Sequence, residues 1–125
     1  MRAQVTAEAL VVVTAAFSLL LVFTVIYMGE NTNVVHAQNT LLAREVAFHL
    51  ASGIDKIYAG GDGASAHLSL RAPDDFNITI SGRSVLVSAG SALASAPILT
   101  DRLSAPARIP SEVLIKNENG LILIQ

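Results

Sequence analysis

The sequence has no cysteine, which rules out a disulfide framework and any thiolate metal site. Charge is scarce as well: Asp, Glu, Lys and Arg together make up 14% of the 125 residues. The eight Lys and Arg residues are scattered singly from Arg2 to Lys116, and the formal net charge is −2. A nucleic-acid partner needs a basic stripe to neutralise phosphates, and none is present. A Gly-rich phosphate loop, a nucleophile elbow and a paired acid/base arrangement are also missing, so neither enzymatic chemistry nor a cofactor is expected. His36 and His49 lie too far apart for the three- or four-residue spacing of metal ligands on a helix, and His67 falls on the exposed side of an expected strand. Asp74-Asp75 follows Pro73 in a turn but lacks the dense oxygen ligands of a calcium loop.

What the chain has in excess is apolar surface. Hydrophobic residues make up 52% and the mean hydropathy is +0.55, above the usual range for a soluble domain. The excess is concentrated in Ala9 to Met28, which contains no charge, no proline and no glycine. A helix of that length spans about 30 Å, the thickness of a bilayer's hydrocarbon core.

Residues 29–59 carry a helical period. Val35, Leu42, Val46, Leu50, Ile54 and Ile57 form one apolar stripe, with Glu30, Asn33, Arg44, Glu45, Asp55 and Lys56 mostly off it. Gly60-Gly61 then supplies a stop. Gly29 and Asn31-Thr32-Asn33 weaken the middle, but no proline forces a break. One helix of about 75 Å is expected, bent or loosened at that point.

Past Gly63 the period becomes two. Ala66, Leu68 and Leu70 alternate with polar residues, as do Phe76, Ile78 and Ile80. Ser81-Gly82-Arg83 leads to Val85 and Val87 as a hairpin. Asn117 to Gly120 joins Val113–Lys116 to Leu121–Ile124 as a second. The Ala/Ser-rich stretch from Ala89 to Pro110 offers only Pro97 to Thr100 as a further edge strand. So short a sheet cannot hold a large core alone, and the stripe on the helix is its natural cover. The fold class is therefore α+β: a long N-terminal helix with an apolar first half (4–28) and an amphipathic second half (29–59), then a small antiparallel β-sheet or sandwich head (64–125) packed on that second half.

Secretory cleavage does not fit the apolar run, which is long and passes into the next helix without an Ala-x-Ala site. Glu8 sits at its edge, where a carboxylate either lies among lipid headgroups at little penalty or, entering hydrocarbon, is costly and usually partnered. Gln4-Val5-Thr6-Ala7-Glu8 followed directly by the apolar helix resembles the class III signal sequence of archaeal type IV pilins. The resemblance covers the whole chain in layout and residues 4–28 by motif.

It implies cleavage by a prepilin peptidase between Ala3 and Gln4, so that Gln4 becomes the first residue and Glu8 the fifth. The leader, residues 1–3, is shorter and less basic than the family's usual one. The resemblance further implies a membrane-inserted precursor and pilus assembly machinery as partners. It also implies a helical homopolymer on the cell surface whose core is built from residues such as Leu10, Val13, Phe17 and Leu20, continuing through Leu21, Phe23, Val25 and Ile26. Glu8 would pair with the freed amine of a neighbouring Gln4 and set register, and the filament would serve adhesion or cell-surface contact. The competing reading is a monomeric, single-pass anchored β domain that binds another surface component or acts like a stator. Asn77-Ile78-Thr79 is an N-glycosylation sequon, with Asn77 expected on the outward face of its strand.

Overall fold

The computed structural model describes the backbone of residues 2–125 and the side chains of residues 3–125; Met1 of the expected leader lies outside the described residues. A single helix, α1, runs from Arg2 to Ala59 and is followed by seven short strands. By internal packing the chain divides into two units, one ending at Val35 and the other comprising His36 to Gln125.

No glycine or proline interrupts the apolar part of α1, so its backbone bonding runs unbroken and outweighs the weaker helix preference of its many Val, Thr and Ile residues. Its few polar side chains are satisfied by the helix itself. The hydroxyls of Thr14, Ser18 and Thr24 donate to the carbonyls of Leu10, Thr14 and Leu20, each at 2.8 Å. Thr32 does the same to Met28 at 2.6 Å, and the helix continues unbroken through Gly29 and Asn31-Thr32-Asn33. It stops where expected. Gly60 donates to Lys56 O at 2.9 Å, and Gly61 takes a positive φ of 79° that a residue with a Cβ resists.

Strands β1 (Ser65–Ser69), β6 (Glu112–Glu118), β7 (Leu121–Ile124) and β5 (Leu103–Ser104) form one sheet, in the order β1-β6-β7-β5. Within it β1·β6 and β6·β7 are antiparallel, as expected of the head, and the two-residue β5 is added parallel to β7. The second sheet is an antiparallel meander of β2 (Phe76–Ser81), β3 (Ser84–Ala89) and β4 (Ala92–Pro97).

Three two-residue turns fix the registers. Gly82-Arg83 and Gly90-Ser91 each have positive φ only at the glycine, the pattern of a type II′ turn. Asn119-Gly120, with φ of 54° and 79°, has the type I′ pattern. The second hairpin is therefore tighter than the four-residue connection expected: Asn117 and Glu118 belong to β6.

The Ala/Ser-rich stretch differs more. It folds into β4 and β5, while only Pro97 of the expected Pro97–Thr100 strand is in one. Strand β4 alternates buried Ala92, Ala94 and Ala96 with exposed Leu93, Ser95 and Pro97.

One core joins the two sheets to residues 43–57 of α1. Leu50, Ile54, Val85, Val87, Ile115 and Ile122 are fully buried in it, each worth about 1.5–3 kcal/mol of burial. A Cβ added to Gly53 would lie 3.1 Å from a Leu68 methyl and 3.5 Å from an Ile115 methyl, so the helix meets the β1–β6 pair closely there. On the helix the buried face carries Ala43, Ala47 and Ala51 beside Val46, Leu50, Ile54 and Ile57. Val35 and Leu42, expected on this stripe, are 48% and 39% exposed. The buried line takes in these alanines together with the bulkier residues beside them.

Candidate functional site

The apolar half of α1 is the most distinctive surface on the molecule. Every expected filament-core residue is exposed, from Val13 and Ile26 at 53% to Val25 at 70%, with Leu10, Phe17, Leu20, Leu21 and Phe23 between. Leu10 to Val13 are four consecutive apolar residues, so apolar surface surrounds the helix instead of forming one stripe. None of the most hydrophobic window is buried, and α1 is long and apolar enough to cross a membrane. A helix apolar on all sides requires an apolar surrounding, either lipid or other protein.

Ala3, Gln4 and Glu8 lie in the first turns of α1 and are exposed. The four-residue step from Gln4 to Glu8 puts both on one side of the helix. Glu8 is the only acidic residue before Glu30.

Among the described residues no group of three or more His, Asp or Glu side chains could hold a metal ion. His36 lies within hydrogen-bonding distance of the Ser91 hydroxyl (Nδ1 to Oγ 3.2 Å), which ties the β3–β4 turn to the helix. His49 is exposed in a shallow groove with Leu42, Glu45, Ser69 and Arg71, and His67 is exposed on β1. The Asp74-Asp75 turn is steadied by the Arg108 guanidinium, which donates to Asp74 O at 3.0 Å.

Two other carboxylates hold loops, a role that the sequence pattern did not signal. Asp55 accepts from Leu99 N at 2.9 Å, and Asp62 accepts from Asn119 N at 2.6 Å. Asn77 is exposed on β2 with Phe76 and Ile78 buried beside it, as the alternation predicts. Exposed apolar side chains also occur in the second unit at Leu41, Phe48, Leu93 and Leu99, and the expected stripe included none of these.

Compared with protein-family models, with curated proteins and with solved structures, the chain matches none.

Proposed function

We propose that this chain is the structural subunit of an extracellular filament resembling an archaeal type IV pilus, assembled by packing N-terminal helices into a hydrophobic core. The observation that carries the reading is the fully exposed, all-round apolar surface of residues 9–28, with Glu8 at its edge. Before assembly, that surface is matched by lipid, with the head outside and the basic leader on the cytoplasmic side. Leaving the bilayer is tolerable only if the same area is buried again, and a bundle of identical helices does this. The contact is heterologous and does not close, so it propagates as a helix of subunits.

Cleavage before Gln4 frees an amine, and Glu8 of a neighbouring copy meets it inside the bundle. Each charge then has a partner, and the pair fixes axial register; an unpaired charge in that core would be strongly destabilising. The small head forms the outer surface of the filament and serves adhesion or cell-surface contact.

Electron microscopy of purified surface material, combined with N-terminal sequencing of the subunit, tests the reading. Filaments whose subunit begins at Gln4 are expected. A detergent-soluble monomer with an uncleaved start would instead make the chain a single-pass anchor for a β domain.

A further inference from the structure

The turn between β6 and β7 combines a chemically weak pair of residues with restraint from several sides. Of the asparagines Asn31, Asn33, Asn39, Asn77, Asn117 and Asn119, only Asn119 precedes a glycine. The others precede Thr, Val, Thr, Ile and Glu, whose side chains crowd the following backbone nitrogen. Glycine has no Cβ, so its nitrogen is open to approach by the side-chain amide carbon of the residue before it.

The fold keeps that approach from happening. Asn119 N donates to Asp62 Oδ1 at 2.6 Å, and Gly120 N donates to Asn117 Oδ1 at 3.0 Å. Asn117 is itself buried and fixed: its backbone N donates to Ala64 O at 2.8 Å and its O accepts from Gly63 N at 2.9 Å. Both turn residues have positive φ, 54° at Asn119 and 79° at Gly120. For the asparagine to close on the glycine, its Cβ must eclipse the Gly120 nitrogen about the Cα–C bond. A type I′ turn holds these two atoms nearly opposite each other across that bond. Closure therefore requires the turn to open and the Gly120 N–H to leave Asn117.

We infer that Asn119 is the site of spontaneous deamidation in this chain, and that Asn117 and Asp62 hold it shut while the head is folded. The inference concerns the head alone and stands apart from the filament reading. When the turn opens, the Gly120 nitrogen gives its proton to solvent and attacks Cγ of Asn119. The new C–N bond closes a cyclic imide, and Nδ2 leaves as ammonia. Water then adds at one of the two imide carbonyls and the C–N bond there breaks. The products are aspartate, or its isomer with the chain running through the side-chain carboxyl. Either one places a new carboxylate beside Asp62, whose own carboxylate already accepts from Asn119 N, and the like charges repel. The isomer also lengthens the backbone by a methylene, which a two-residue turn cannot absorb in register. Because the Asn117 side chain bridges this turn to the Ile57 carbonyl, the reaction loosens the hold of β6 on the end of α1.

The full chain, purified in detergent and incubated at mildly alkaline pH, tests this, with a synthetic peptide of residues 116–123 as the unprotected reference. Peptide mass mapping and isoaspartyl labelling locate and time the exchange of NH2 for OH. In the folded chain conversion should occur first at Asn119, and at least about tenfold more slowly than in the peptide. Asn117→Ala, with its fold checked by circular dichroism, should speed it about tenfold, and Asp62→Ala, at an exposed position, about threefold. Val87→Ala, fully buried on β3 in the other sheet, loosens the head elsewhere and should leave the rate unchanged. A folded chain that converts as fast as the peptide, or another asparagine that converts first, overturns the inference. So does Val87→Ala speeding Asn119 as much as Asn117→Ala does, because general loosening would then set the rate. If Asn117→Ala does not fold, Asp62→Ala carries the test, and a rate equal to that of the unaltered chain overturns the role of these partners.

Discussion

The side-chain amide of Asn117 on β6 donates to the backbone carbonyl of Ile57 in the last turns of α1 at 3.4 Å, while its Oδ1 accepts from Gly120 N at 3.0 Å. Asn117 is 2% exposed and is one of two buried polar residues among the described ones. One side chain thus meets a carbonyl near the helix terminus and pins the type I′ turn that ends the β6 strand. Replacing it with alanine strands both partners. Asn117→Ala is expected to cost about 1–3 kcal/mol, seen as a lower urea midpoint for the full chain in detergent.

The core and the outer line of the same helix should respond oppositely. Leu50 is fully buried, so Leu50→Ala should cost about 2–5 kcal/mol. Leu41→Ala, on the exposed side, should stay within about 0.5 kcal/mol for the detergent-held chain. Thermal unfolding of the two variants side by side decides this. Equal losses would mean that the helix does not bury the face described.

Fully buried alanines on helix and sheet leave no room for growth. Ala96 and Ala47 are both 0% exposed, and Ala96→Leu or Ala47→Leu should destabilise by about 1–3 kcal/mol through overpacking. A neutral result in denaturant titration would indicate a looser interface.

Glu8→Ala separates membrane insertion from assembly. The variant is expected in the membrane fraction at the unaltered level, because an uncharged residue at the edge of the apolar run costs nothing there. Filaments should be lost or sharply reduced in electron micrographs. Normal filaments from this variant would remove the register pair from the mechanism.

Exposure of Asn77 on β2 gives the sequon an accessible amide. With the head outside the cell, intact-mass measurement of native material should show sugar added to the polypeptide that begins at Gln4, and Asn77→Gln should remove it. A native mass equal to that of the bare polypeptide would show the sequon to be idle.

Much of the architecture is legible in the sequence. The uncharged run and the Gly60-Gly61 stop announce α1, and Ser81-Gly82 and Asn119-Gly120 announce two of the three hairpins, because turn chemistry is local. Strand β4 is not announced in this way. Alanine and serine have little strand preference of their own, and Ala92, Ala94 and Ala96 are held extended by pairing with β3 and by burial. The same bias hides the true buried face of the helix: a search for bulky apolar residues selects Val35 and Leu42 and passes over Ala43, Ala47 and Ala51. Parallel pairing of β5 with β7 is out of reach, since two residues carry no period. At the site, the motif around Glu8 and the apolar run are readable at once. The exposure of Leu41 and Phe48 is not readable in this way, because residue type alone does not show which side of the helix the head leaves uncovered.

Thr14, Ser18 and Thr24 lie within a segment that must be at home in hydrocarbon, yet each hydroxyl already spends its proton on a carbonyl of the preceding turn. The helix therefore carries its hydrogen bonding with it. In the proposed assembly, passing from lipid to a bundle of neighbours would exchange one set of van der Waals partners for another, and none of these three donors would have to find a new acceptor. A segment whose hydroxyls are satisfied in this way makes no polar demand on whichever apolar medium, lipid or protein, surrounds it.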